Sequence, residues 1–258
     1  MNDEYNLEEL RMNEEEQKNE LAILTNDKEK NQIIIHKDTA LQKLNALLRN
    51  YIDDPSAMSK ADKLSYWIED FCRLIEFEDE FHPFYLKKYE RGDVIKVNLG
   101  YNIGNEEGGL HYCVVLDKSN SKYSGIITVI PLTSDKGKEL HFSEVNLGNE
   151  IFVNFRKKYQ TLQLKISKQI NEIASTNKAD MDLNKLEKAT QDIKLLKKID
   201  EELNKMKKGS IALVSQITTI SKQKIYDPQK TGDILSGLKI SDNSLDLINN
   251  KMKQLFIK

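Results

Sequence analysis

Apolar side chains recur along this chain at two periods, and the changes of period divide it into four stretches. Residues 1–54 contain neither Gly nor Pro, and Leu7, Leu10, Leu21, Leu24, Leu41, Leu44, Leu47, Leu48 and Tyr51 succeed one another at mostly three- and four-residue steps, the period of a helix with one apolar face. Ile33, Ile34 and Ile35 interrupt it and read equally as a strand or a buried helical patch. Pro55 ends the segment, and Ser59 with Asp62 reads as a capping-box variant opening a second helix, with Leu64, Trp67, Ile68, Phe71, Leu74 and Ile75 on its apolar face. Residues 76–83 form the joint between this helix and the next stretch. The period then shortens. Val94–Leu99, Tyr112–Leu116 and Ile126–Leu132 are apolar, β-forming runs bounded by Gly, Asn, Asp or Ser, and three such runs predict a small antiparallel barrel or sandwich. Lys138–Asn146 and Glu150–Phe155 read as further strands.

Helical spacing returns in a Gly- and Pro-free run from Asn149 to Lys208. Tyr159, Leu162, Ile166, Ile170 and Ile173 form one stripe; Leu186, Ala189, Ile193, Leu196, Ile199, Leu203 and Met206 form another, with a polar turn over Ser175–Lys178. The pattern predicts an antiparallel, coiled-coil-like helical hairpin. Gly209 caps its end, Ser210–Ile220 is a closing strand, and Ser241–Leu255 is a terminal helix with Leu245, Ile248, Met252 and Leu255 inward. The expected division is a helical N-terminal region (1–88), the first part of a barrel (89–153), an inserted hairpin (154–208), and a last strand with the C-terminal helix (209–258).

Charge sharpens this picture. The net −2 of the 258 residues conceals an acidic stretch, residues 1–88 with 12 Lys/Arg against 20 Asp/Glu, followed by a basic remainder with 27 against 21. Residues 156–208 alone hold 14 Lys/Arg and 8 Asp/Glu. Such a face either meets nucleic-acid phosphate or is simply solvated; its second arm has no aromatic residue to stack a base. The acidic N-terminal region reads as an assembly or partner-docking module, or as a mask of a basic site within the same chain. No apolar run approaches the ~20 residues that span a bilayer, and the opening MNDEYNLEEL is acidic, so the expected location is the cytoplasm, with no membrane partner. Cys72 and Cys113 match no metal or redox spacing and read as buried thiols.

Between the first two strands lies Gly100–Gly109, a loop with four glycines and the acidic pair Glu106 and Glu107. It lets the backbone approach a ligand closely; no helix comes after it, which argues against a phosphate loop. The blocks RGDVIKVNLG, GNEEGGLHYCVVL, IITVIPLTS and GSIALVSQITTISKQKI resemble, in order, those of the MazF/PemK family of type II toxin–antitoxin endoribonuclease toxins. The likeness covers Tyr89 to about Phe152 and Gly209 to the C-terminus. It implies an α+β fold, an SH3-like antiparallel β-barrel (MazF/PemK/CcdB-like), here with a helical N-terminal region and an inserted antiparallel hairpin. It further implies a homodimer that cleaves single-stranded RNA without metal or other cofactor, and a cognate antitoxin as partner.

Cleavage by the 2′-hydroxyl needs a proton acceptor, a proton donor for the leaving 5′-oxygen, and donors to the phosphate. The family fills these roles with an Arg after the Gly-Gly pair and a Thr or Ser ending the third strand; Thr133 matches the second, and His111 occupies the first. Histidine exchanges protons near neutrality far more readily than arginine, so His111 is the expected general acid/base and Thr133 the phosphate-stabilising hydroxyl. A hydrogen-bonded structural histidine, or one that only binds RNA, is the competing reading. Arg91, Gly108, Gly109, Ser134 and Lys136 are the expected RNA-binding residues, Arg91 alternatively holding the loop. Asp93 fixes the strand start, and His141 is structural. The alternative function is a catalytically inactive MazF/CcdB-like barrel acting as a binding or inhibitory protein.

Overall fold

The computed structural model of the chain describes residues 2–175 and 182–257, with side chains described from residue 26 onward. The chain forms two compact units, Met1–Ile68 and Glu69–Lys258. The first contains α1 (Asn2–Asp53), one helix of 52 residues, and the start of α2 (Met58–Glu76). Without Gly or Pro nothing stops α1 before Pro55. Ile33 and Ile35 lie within it, 67% and 62% exposed, so neither a strand nor a buried patch forms there. The side chains of Leu7, Leu10, Leu21 and Leu24 lie outside the described residues. The Asp54 carboxylate accepts from the Ser56 N–H at 2.9 Å and its hydroxyl at 2.8 Å. The helix therefore opens at Met58, and Ser59 is inside it rather than its cap. On α2, Trp67 is half-buried, and Phe71, Ile75 and Cys72 are exposed. Cys72 is not the buried thiol expected, because the helix face around it is itself only half covered. Cys113 is buried, and burial pushes its thiol up to about 12.

In the second unit β1 (Val94–Asn98), β2 (Leu110–Val115), β3 (Ile126–Ser134), β4 (Glu144–Asn146), β5 (Ser210–Leu213), β6 (Thr218–Ser221) and β7 (Ile225–Asp227) form one seven-stranded sheet. Every pairing is antiparallel, in the order β4-β5-β3-β2-β1-β7 with β6 also on β3. The order leaves β4 and β7 as its outer strands, so the sheet is not closed. Asp93, just before β1, accepts from the Lys87 ammonium at 2.8 Å and the Glu90 N–H at 3.1 Å, which fixes the strand start.

β3 is the strand on which the sheet turns. Its first half pairs with β6, from Ile126↔Ser221 to Val129↔Thr218, and its last residues pair with β5, from Leu132↔Ala212 to Ser134↔Ser210. Pro131 lies between the two ladders. The Thr128 carbonyl accepts from Leu116 on the β2 side, so alternation turns the backbone groups of residue 131 toward β5 and β6, where proline has no N–H to donate. There the chain opposite leaves the ladder for a 3-10 turn, Val214–Gln216, which breaks the single strand expected over Ser210–Ile220 into β5 and β6.

Both faces of the sheet are buried, with the two-residue period of a strand. Ile95, Val97, Cys113, Val115, Ile127, Val129, Ile220 and Ile225 form one core. Val94, Val114, Ile130, Leu132 and Ala212 face a second, covered by Ile151 and Phe155 of α3 (Glu150–Ser175), Ile199 of α4 (Leu183–Lys205) and Ile248 of α5 (Asp242–Phe256). Two expected strands differ. Residues 138–143 are irregular, with His141 Nδ1 2.9 Å from the Ser143 hydroxyl, leaving only β4. Glu150–Phe155 is the first turn and a half of α3. Ile151 and Phe155 stand one helical turn apart, Gly148 turns the chain at a φ of +59°, and the Val153 N–H donates to the Asn149 carbonyl at 2.9 Å.

α3 and α4 pack against each other; of the turn expected over Ser175–Lys178, everything after Ser175 lies outside the described residues. Lys165 and Asp192 bridge the two helices at 2.6 Å; Ile170, Leu186 and Ile193 are exposed rather than inward. Glu202, near the end of α4, accepts from Lys96 of β1 and from the Tyr112 hydroxyl of β2. Burial acts to raise the Glu202 pKa, but these two hydrogen bonds outweigh it and hold the carboxyl below its ordinary range. A carboxyl lowered by folding stabilises the fold above its unfolded value of about 4.3 and loses that contribution as pH falls through the folded value. Glu202→Gln is therefore expected to cost about 1–3 kcal/mol at pH 7 by leaving Lys96 unpaired. In urea unfolding the difference from the parent should shrink steadily below pH 4; a constant difference contradicts the assignment.

Candidate functional site

Past Cys113↔Pro131 the ladder between β2 and β3 stops, and the strand ends there frame a recess of about 240 Å³. Leu110, His111 and Tyr112 enter it from β2, Leu132, Thr133 and Ser134 from β3, Gly209 and Ser210 from the start of β5, and Lys205, Met206 and Lys207 from the end of α4. Beyond the last rung the Leu132 carbonyl is still aimed at β2, and His111 Nδ1 lies 3.2 Å from it. A carbonyl only accepts, so Nδ1 carries a proton. His111 Nε2 lies 3.0 Å from the Glu107 carboxylate. The imidazole is held between two acceptors, with the carboxylate on the nitrogen that can exchange a proton.

Glu107 is held by the glycine-rich loop. The neck of that loop closes through Leu99 N–H to Gly109 O at 2.8 Å and Gly109 N–H to Gly100 O at 2.7 Å. Gly109 takes a φ of +83°, and a Cβ on Gly108 would stand 2.8 Å from the Gly100 carbonyl, so side chains at these two positions would force the neck open. Gln216, in the 3-10 turn opposite Pro131, accepts from the Glu107 N–H at 2.6 Å, and the Asn102 amide donates to the Glu107 carbonyl at 2.7 Å. On the far side of Glu107 a larger polar groove of about 640 Å³ is lined by Asn102, Asn105, Gln216, Thr218 and Thr219.

Of the residues singled out from the sequence, His111, Thr133 and Ser134 come together in the recess, and Gly108 and Gly109 shape the loop beside it. Arg91 does not join them. It stands at the other end of β2, where its guanidinium donates to the Leu116 carbonyl and to Asn249 of α5, contacts that reach neither the Gly100–Gly109 loop nor the recess. Lys136 is exposed in the turn after β3, outside the recess lining. Sequence reasoning missed Glu107, visible only as half of an acidic pair, and Gln216, whose bond to Glu107 spans 109 positions. Lys205 and Lys207 stood out only as part of a basic helix.

Among the described residues no group of three or more His, Cys, Asp or Glu could hold a metal ion, and no helix is long and apolar enough to cross a membrane. The fold is α+β, an antiparallel sheet backed by helices, with a recess at its strand ends. Residues 90–192 match the family model of the PemK-like, MazF-like toxins of type II toxin–antitoxin systems, and over that stretch the chain is similar to this family. No curated protein matches the chain.

The loop geometry has a measurable consequence. Gln216→Ala removes the acceptor of the Glu107 N–H, a hydrogen bond worth roughly 1 kcal/mol. Amide exchange at Glu107 should accelerate about fivefold, with Cys113, Val114 and Val115 in the sheet unchanged. Uniform acceleration would mean global destabilisation, and none at all would mean that Gln216 does not hold the loop.

Proposed function

We propose that the protein is a type II toxin that cleaves single-stranded RNA without a metal ion, by attack of the 2′-hydroxyl on the adjacent phosphate. The single observation that carries this reading is the convergence of His111 and Thr133 in one recess, with His111 already paired to a carboxylate. The toxin role itself is supported by the family over residues 90–192.

In the reaction the 2′-oxygen bonds to phosphorus and the bond to the 5′-oxygen breaks, leaving a 2′,3′-cyclic phosphate. One proton leaves the 2′-hydroxyl and the 5′-oxygen gains one, so a single proton-holding unit can accept first and donate afterwards. The Glu107–His111 pair is that unit: the Leu132 carbonyl orients the ring through Nδ1, and the proton moves at the Nε2 side. The hydroxyls of Thr133 and Ser134 donate to the phosphate as its charge grows, and Gly108 and Gly109 let the loop backbone approach the RNA. Lys136 meets phosphate farther along the chain, and Arg91 serves the RNA site indirectly by holding β2 to α5. No cofactor is required. The switch of β3 from β6 to β5, with an apolar core on each face of the sheet, supports reading it as an SH3-like barrel. A cognate antitoxin and a homodimer come from the same family reading, and a cytoplasmic location from the sequence, which has no apolar run long enough to span a bilayer.

Purified protein incubated with mixed single-stranded RNA in EDTA should produce new ends carrying a 2′,3′-cyclic phosphate or its 3′-phosphate product. His111→Ala and Thr133→Ala should each lower the rate at least ~10²-fold. Cleavage that requires magnesium, or an unchanged rate in a folded His111→Ala protein, sinks the mechanism; absence of cleavage by the parent turns the assignment to a binding protein.

A further inference from the structure

We propose that the inserted hairpin is part of the RNA site. Lys205 and Lys207, at the end of α4, form its cationic wall and hold the phosphate on which His111 and Thr133 act. The proposal rests on the reading of the recess as an RNA-cleaving site, and it assigns the substrate's charge to residues that the β-strand blocks do not contain.

The lining of the recess carries both lysines and His111 and no carboxylate. The side chains of Lys205 and Lys207 have no hydrogen bond or ion pair among the described residues, although Glu202 beside Lys205 feels its charge. The imidazole of the recess is already engaged: His111 Nε2 lies 3.0 Å from the Glu107 carboxylate. A phosphate entering here meets the hydroxyls of Thr133, Ser134 and Ser210 on the sheet side, and its compensating permanent charge comes from α4.

The placement of these lysines is fixed from both sides. Three residues before Lys205, Glu202 is bound by Lys96 and Tyr112 of the sheet, and the Met206 N–H donates to the Glu202 carbonyl at 3.0 Å. Two residues after Lys207, Gly209 turns the chain into β5 at a φ of +83°, so close to Asp135 that an added Cβ would lie 2.8 Å from its side chain. The hairpin therefore delivers its last basic residues to the recess by an anchored helix end, while Lys194 and Lys197 stand roughly 12–16 Å farther along α4 at 1.5 Å per residue.

The test compares Lys205→Gln/Lys207→Gln with Lys194→Gln/Lys197→Gln in the full chain, reading cleavage of single-stranded RNA and binding of a non-cleavable 2′-O-methyl oligonucleotide across a salt series. The first pair should lower kcat/KM at least ~10-fold. It should also flatten the slope of log affinity against log salt by about 1.4, the loss of two phosphate contacts to a single strand. Lys205→Arg/Lys207→Arg should restore the slope. The second pair should leave both within twofold of the parent. If the parent cleaves, or only binds, and the first pair changes neither cleavage nor salt slope, the proposal is overturned while the reading of His111 and Thr133 stands. If both pairs reduce binding equally, the hairpin acts through its general charge and the specific wall is overturned. A parent that neither cleaves nor binds removes the underlying reading as well.

Discussion

Pro131 offers no N–H to the strands on its far side, and the architecture around the recess depends on that missing donor. β3 must change partner there, from β6 to β5, and the chain opposite fills the gap with the 3-10 turn that carries Gln216. Gln216 in turn reaches the Glu107 backbone and sets the carboxylate against His111. An interruption in one ladder thus becomes the means by which a glycine-rich loop presents an acid to a histidine on a strand. Positioning residues on strand ends, with loops held from a second element, keeps such groups within the tolerance that proton transfer demands.

The second constraint is electrostatic. Glu202 is surrounded by Lys96 and Tyr112, and a partly desolvated ion pair is costly to break because each partner loses its compensation. This contact ties the α3–α4 hairpin to the strands that frame the recess. The hairpin's charge, spread along α4 in the sequence, lines the recess only at the anchored end of that helix.

Much of this architecture is legible in the residues, and the exceptions have particular causes. β1, β2, β3 and α5 fall within two or three residues of their expected bounds because β-branched runs between turn residues, and a stripe at Leu245, Ile248, Met252 and Leu255, admit one period each. Glu150–Phe155 admits two: the short apolar run Ile151, Phe152 and Val153 fits a strand, yet Ile151 and Phe155 also fit a helical turn. The helix is favoured by contacts of Glu150 with Ser241 and Ser244, more than 90 positions away. The convergence of His111 and Thr133 is expected of neighbouring strands, whereas Glu107 acquires its role only through Gln216. Cys72 departs from expectation because residue type suggests burial, while the coverage of α2 depends on tertiary surroundings that periodicity does not contain.

The central claim is that the strand-end recess receives the phosphate of single-stranded RNA. Nuclear magnetic resonance of the protein titrated with a 2′-O-methyl oligonucleotide in EDTA tests it directly. The account predicts that the largest shifts fall on the His111 ring nitrogens and the Thr133 methyl, with smaller ones on Ser134 and Ser210. Shifts confined elsewhere, for instance to the exposed aromatic group of Phe84, Tyr85 and Tyr123, with the His111 ring unchanged at saturation, would contradict it.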